Sequence, residues 1–285
     1  MHKSLENLSV IVTGAARGIG KGVALGLLKS GARVAMVDIL PNELAATAEE
    51  GRAIAGSNSV VAIRADITQQ LETRDAVART LDAFGQLDGL VNNAGIGRFF
   101  VRPDHQERPI RFWDLTPEQW RRFVDVNLHS FFYMTQSALV PMLQQGHGRI
   151  ITVTTGLFTM TCGGSIGYGG TKAGVEASMS ALANDLKGTS LTANIVVPGG
   201  PVNTPAFVDD GKVDRAAFLQ PEVMVPPIRW LLSKEASTVS GNRYVAGKWD
   251  PLLPDDQASA ACGNPIAWPQ LAERPIIPKG MDFTT

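Results

Sequence analysis

The sequence predicts an α/β fold built on a doubly wound parallel sheet with helices on both faces. Three observations carry this reading. Short β-branched runs alternate with stretches of helical periodicity as far as Val197. The first run ends in a glycine-rich turn that opens a helix, Thr13-Gly14-Ala15-Ala16-Arg17-Gly18-Ile19-Gly20. The second run ends in an acid, Asp38.

Composition sets the frame. The 285 residues are 44% hydrophobic and 19% charged, which suits one large α/β domain. A net charge of −1 argues against a nucleic-acid or anionic-membrane surface. No apolar run reaches the roughly 18 residues of a membrane span, and Met1-His2-Lys3-Ser4-Leu5 lacks a signal core. Cys162 and Cys262 form neither a disulfide framework nor a metal cluster, and the scattered histidines show no paired metal spacing. A reducing, cytoplasmic setting without a metal is expected.

The elements follow in order. Residues 8–13 form a buried strand ending at the glycine turn. Tight turning and close approach to a ligand both need glycine, and the helix N-terminus behind the turn offers N–H groups to a pyrophosphate. The spacing is Gly-x-x-x-Gly-x-Gly, so a plain glycine-rich helix start is the alternative. Residues 32–37 form the second strand. Its closing Asp38 stands where a dinucleotide fold places an acid on the adenosine ribose. That acid repels a 2′-phosphate, so NAD is favoured over NADP; Arg17 in the turn pulls the other way.

A helix over 42–54 leads to a third strand, 60–64, ending in Asp66-Ile67-Thr68. Asp66 is read as N-cap of the next helix, as a contact to the adenine edge, or as both. That helix spans about 70–84. The fourth strand, 89–91, ends in Asn92-Asn93-Ala94-Gly95 at the sheet's carboxyl edge. The segment 96–115 is long for a strand-to-helix loop and reads as a lid, a substrate wall or a variable surface loop. Its arginines admit an anionic substrate, with solvated charge as the plainer reading.

Thr116-Pro117-Glu118 opens a long helix by a capping signature completed at Gln119, running to about Gln145. Asn127 lies in its apolar stripe. Residues 148–153 form the fifth strand and deliver Thr154 and Thr155 to the same edge. Next comes a helix carrying Tyr168 and Lys172, four apart and so on one face. An ammonium beside a phenol favours the phenolate, although a surface pair has the same spacing. Residues 191–197 form the sixth strand, followed by the irregular Pro198-Gly199-Gly200-Pro201-Val202-Asn203-Thr204-Pro205. A flap over 205–220, a helix over 221–233 and a last strand over 242–246 complete the pattern. The tail from Trp249 is proline-rich and without periodicity. It is expected to pack on a neighbouring subunit or across the cleft, anchored by Trp268 and Ile276-Ile277.

Taken in order, Thr13-Gly14-x-x-x-Gly18-Ile19-Gly20, Asp38, Asp66, Asn92-Asn93-Ala94-Gly95, Asn127, Tyr168-x-x-x-Lys172 and Pro198-Gly199 resemble the short-chain dehydrogenase/reductase family. The resemblance covers about residues 5–247. It implies a Rossmann-type fold over residues 1–248 with a C-terminal extension over 249–285. It also implies a nicotinamide cofactor and a homotetramer or homodimer. Tyr168 would be the proton donor or acceptor. Lys172 would hold the nicotinamide ribose and lower the Tyr168 pKa, and Asn127 would hold a relay water. Gly14, Arg17, Gly18, Ile19, Gly20, Asp38, Asp66, Ile67, Asn93, Ala94, Gly95, Tyr168, Lys172, Pro198, Gly199, Val202 and Thr204 would contact the cofactor.

Two departures stand out. The family usually has Ser about 13 residues before the Tyr; here it is Thr155, whose hydroxyl is expected to polarise the substrate oxygen. Ser165 is the rival hydroxyl. The Pro198–Thr204 loop is one residue longer than the common form, which weakens the Thr204 assignment. Phe99, Phe100, Leu157, Phe158 and Cys162 are candidate pocket residues. The expected activity is interconversion of a secondary alcohol and a ketone with NAD(P). An acyl-thioester ketoreductase of fatty-acid type and a non-catalytic NAD-binding sensor or scaffold are the alternatives.

Overall fold

Eight strands and nine α-helices are described in the computed structural model, which describes residues 4–205 and 214–271. In chain order the opening elements are β1 (Ser9–Thr13), α1 (Gly18–Lys29), β2 (Arg33–Asp38), α2 (Pro41–Ala55), β3 (Val60–Arg64), α3 (Gln70–Phe84) and β4 (Gly89–Asn92). They continue with α4 (Pro117–Val124), α5 (Ser130–Gln145), β5 (Gly148–Val153), α6 (Leu157–Thr161), α7 (Ile166–Asp185) and β6 (Leu191–Val197). The last are α8 (Val225–Leu232), β7 (Asn242–Val245), α9 (Asp255–Cys262) and β8 (Gly263–Pro265).

The strand order is β3-β2-β1-β4-β5-β6-β7-β8, parallel throughout except for the antiparallel β7–β8 pair. Alternating side chains divide between two cores. Val10, Val12, Val34 and Met36 face Val23 and Leu27 of α1, Leu44 of α2 and Ile228 of α8. Ile11, Ala35 and Val37 face Val77 of α3, Met134 of α5 and Met179 of α7. Both faces are therefore covered, which is why these strands read as continuous apolar runs. The order reverses between β1 and β4, and in open parallel sheets that crevice at the carboxyl edge binds ligands.

Four features differ from expectation. The long helix after Thr116 is not one α-helix: a π turn over Asp125–His129 separates α4 from α5 and carries Asn127. Asp66 does not cap α3. Gln69 is the N-cap residue, and the Asp66 carboxylate instead accepts from the Thr68 N–H at 3.0 Å and the Thr68 hydroxyl at 2.7 Å. Residues 221–233 hold a 3-10 turn, Pro221–Met224, before α8.

The fourth difference is the described part of the tail, residues 249–271, which joins the sheet. α9 is tied to α8 by the Arg229–Asp255 ion pair at 2.7 Å, and β8 adds to the β7 edge. Trp249 packs on Trp230 with ring centres 5.8 Å apart. Ile266 enters the core, while Trp268 is only half-buried. The Ile276-Ile277 pair and residues 206–213 of the expected flap lie outside the described residues. Leu219, near the end of the expected flap, bridges to Val202 in the loop that precedes it.

Candidate active site

The carboxyl ends of β1, β2 and β4 build a cradle with little room for side chains. Gly14 has φ +68°, and a Cβ there would lie 2.9 Å from both Ala94 Cα and Asn93 Nδ2. At Gly20 a Cβ would fall 1.9 Å from the Gly14 carbonyl oxygen. Thr13 ties the two strands together. Its hydroxyl accepts from the N–H groups of Asn93 at 3.0 Å and Ala94 at 3.1 Å, and Asn93 Nδ2 donates to the Thr13 carbonyl at 2.9 Å. α1 starts without a side-chain cap, so its first-turn N–H groups remain available to an anion. Asp38 is held in place: its carboxylate accepts from the Ala16 N–H at 2.9 Å and the Leu40 N–H at 3.1 Å. Arg17 is exposed beside it. These residues fit a dinucleotide, with backbone for the pyrophosphate and a fixed carboxylate for ribose hydroxyls.

The far wall comes from the loop after β6. Gly199 has φ +91°, and Pro198 accepts through its carbonyl from the Gly247 N–H at 2.8 Å. Thr204 stands against the glycine turn, its methyl 3.3 Å from where a Gly18 Cβ would be. The Val202 side chain is buried, leaving only its backbone for a ligand.

Tyr168 and Lys172 sit one turn apart on α7. Thr155 stands close enough to the Tyr168 phenol to favour its ionised form. Burial pushes the phenol's pKa up, and Thr155 and the Arg98 charge offset part of that rise. Arg98, on the loop after β4, adds its positive charge at this phenol. Lys172 is buried, donates from Nζ to the Val153 carbonyl at 2.9 Å, and has its pKa lowered to about 8 by desolvation. The Ser165 hydroxyl is buried without a hydrogen-bond partner.

The π turn aims Asn127 at the β4 loop. Its Oδ1 accepts from the Ile96 N–H at 2.8 Å, and its Nδ2 donates to the Ile96 carbonyl and the Thr171 hydroxyl, both at 3.1 Å. A small polar cavity of ≈ 10 Å³, about the room one water needs, lies between Asn127, Lys172, Ser130 and Ile67. A larger concavity of ≈ 440 Å³ opens around Thr238–Asn242, at the opposite end of β7 from this edge.

Two buried charges lie behind Thr155. Glu176, one turn beyond Lys172, accepts from Thr154 Oγ1 at 3.0 Å and from Arg243 Nε at 2.8 Å. Arg243 Nη2 donates in turn to the Thr155 carbonyl at 3.1 Å. The sequence reading missed Thr13, Arg98, Glu176 and Arg243. Glu176 had a signal in its helical spacing from Lys172, Thr13 in its place at the head of the glycine turn, and Arg98 in the arginine excess of its loop.

The expected pocket residues divide. Cys162 faces Arg98 across the mouth, and Phe99 is half-buried. Phe100 packs edge-on against Phe123 at 5.8 Å, so its ring is committed to α4. Phe158 is 81% exposed and Leu157 is 42% exposed, which makes them rim rather than wall.

Residues 9–212 match the family model for short chain dehydrogenases. The chain is a short-chain dehydrogenase/reductase. A 3-oxoacyl-[acyl-carrier-protein] reductase of Synechocystis is 31% identical to this short-chain dehydrogenase/reductase over 84% of the chain and 92% of the relative. The crystal structure of a 3-ketoacyl-(acyl-carrier-protein) reductase from Brucella melitensis complexed with NADH superposes with a TM-score of 0.71 at 27% identity, covering 83% of this chain and 95% of that one. A short chain dehydrogenase from Burkholderia cenocepacia in complex with NADP gives the same TM-score of 0.71 at 27% identity, covering 83% and 95%. As a short-chain dehydrogenase/reductase the chain is an NAD(P)-dependent oxidoreductase acting on CH–OH groups. Among the described residues, no helix is long and apolar enough to cross a membrane.

Proposed function

We propose that the chain interconverts a secondary alcohol and a ketone, with Tyr168 moving the proton of the reacting oxygen. The observation that carries this reading is the Tyr168 phenol beside Thr155, one helical turn from the buried Lys172. When bound, the nicotinamide supplies or accepts the hydride. The glycine turn, Asp38, Asn93, Lys172 and the Pro198-Gly199 backbone hold the cofactor. Thr155 donates its hydroxyl to the substrate oxygen, and Tyr168 gives or takes the proton there. Bringing a phenol from pH 10 to near 7 takes about 4 kcal/mol of differential stabilisation. Thr155 and Arg98 supply part of it, and the Lys172 ammonium supplies more once it turns from Val153 toward a ribose. Asn127 and the small polar cavity lead protons from Lys172 outward.

The fixed Asp38 carboxylate supports a preference for NAD, because it would meet a 2′-phosphate at close range. Phe132, Val140 and Leu143 expose apolar surface on α5, which supports a homodimer or homotetramer. Two free cysteines are in keeping with a cytoplasmic setting.

The test is a panel of ketones and secondary alcohols with each reduced and oxidised cofactor, run on the wild type and Tyr168→Phe. Turnover by the wild type, cut by about a hundredfold or more in Tyr168→Phe with cofactor binding retained, is the expected result. Normal NAD binding without turnover of any panel member sinks the reading in favour of a sensor. NADPH-dependent reduction confined to acyl thioesters turns it toward the ketoreductase.

A further inference from the structure

The loop between β4 and α4 brings a guanidinium to the site that the chemistry above uses only through its charge, leaving its hydrogen-bond donors out of account. Arg98 opens the 3-10 turn Arg98–Phe100, three residues after Gly95 of Asn92-Asn93-Ala94-Gly95. Its Nη1 lies 3.9 Å from Cys162 Sγ, so the guanidinium spans the mouth from the loop to the segment joining α6 and α7. It is half-buried, and its charge reaches the Tyr168 phenol. Among the described residues no carboxylate lies within ion-pair distance of it. Two of the loop's acids are engaged elsewhere: Asp104 with Arg102 at 3.6 Å and Arg108 at 3.3 Å, and Asp114 with the Arg111 N–H at 3.2 Å.

A guanidinium carries five donors in a fork that takes a carboxylate through two parallel bonds, whereas a thiol sulfur is a weak partner. His105 stands in the field of the same charge. Burial, and then Arg98, lowers its pKa, and its Nδ1 is buried without a hydrogen-bond partner. A cation left without a counterion at the mouth of a site is accounted for when the ligand brings one.

We propose that Arg98 is the anion receptor of this site, and that the substrates are hydroxy or oxo acids. Their carboxylate docks on the guanidinium while the reacting oxygen lies at Thr155 and Tyr168. The inference rests on the alcohol–ketone reading and adds the substrate class to it.

The test uses oxopentanoates with the ketone at each chain position, paired with their methyl esters, on the wild type, Arg98→Lys and Arg98→Met. For at least one position the wild type is expected to favour acid over ester in kcat/KM by about tenfold or more, mainly through KM. That ratio falls to near one in Arg98→Met and is partly kept in Arg98→Lys. A second readout is independent of turnover: the acid raises the thermal midpoint of the wild type saturably, with or without cofactor, and fails to do so in Arg98→Met. If Arg98→Met does not fold by circular dichroism, Arg98→Gln replaces it.

A wild-type acid-to-ester ratio near one without an acid-induced shift overturns the proposal. So does a preference or a shift that survives loss of the guanidinium. If nothing is turned over yet acids bind in an Arg98-dependent way, the alcohol–ketone reading falls and the anion receptor stands.

Discussion

Replacing Glu176 by Met should destabilise the fold severely, although this carboxylate touches neither of the proposed ligands. Glu176 is 0% exposed and the Arg243 side chain is 12% exposed, so both charges are removed from water. Their Nε–Oε1 distance is 2.8 Å, and the second carboxylate oxygen is satisfied by Thr154. Without Glu176 the guanidinium keeps only the Thr155 carbonyl, and the Thr154 hydroxyl loses its acceptor. Breaking a buried pair from one side costs about 3–5 kcal/mol, because the survivor remains buried and uncompensated. Arg243→Met should cost a similar amount from the other side. Replacing both by Met removes both charges, so the double variant should lose clearly less than the sum, with a coupling of about 2–3 kcal/mol. Urea unfolding of all four proteins at one protomer concentration measures the cycle. Single losses below about 1 kcal/mol, or additivity within about 0.5 kcal/mol, would refute the assignment of a buried, mutually dependent pair.

Other outcomes follow from the same geometry. Thr155→Val should remove most turnover while Ser165→Ala leaves it near wild type; the reverse result, read as kcat/KM on any accepted ketone, gives the role to Ser165. Gly20→Ala should abolish cofactor binding or folding, since its Cβ would sit 1.9 Å from the Gly14 oxygen; isothermal titration and circular dichroism tell the two apart. Lys172 titrates at about 8 in the folded chain and near 10.5 unfolded, so between these values the unfolded state binds more protons and stability rises with pH. Relative to Lys172→Met, the cofactor-free protein should gain about 3 kcal/mol across that window in urea titrations, and a flat difference would contradict the buried ammonium.

The parts of the site made from backbone could be read in the sequence. Gly14, Gly20 and Gly199 occupy positions where a Cβ would collide or φ is positive, and such demands leave glycines at fixed places. The strands were equally plain, because burial on both faces forces apolar runs. What escaped was set by long-range partners. Arg98 is one of several arginines in its loop, and nothing local distinguishes the one that reaches Cys162. Arg243 gains its meaning only from Glu176, which lies 67 residues away in sequence. The π turn escaped because Asn127 keeps its place in the apolar stripe of a regular helix. β8 is Gly-Asn-Pro, without a β-former among its residues, and pairing with β7 alone makes it a strand. α9 did carry a start signal, Pro254 followed by Asp255 and Asp256, but its weak apolar stripe hid it.

The placement of β8 also bears on how the chain is made. β7 is the last parallel strand, and its outer edge is covered by residues that leave the ribosome only after α9 has been synthesised. Until then the growing sheet presents an open row of backbone donors and acceptors, the kind of edge that recruits other nascent chains. Gly263-Asn264-Pro265 closes that row and, through its proline, offers little for a further strand to continue. β8 thus caps the β7 edge, which stays exposed to misassembly until residues 263–265 have been made and paired.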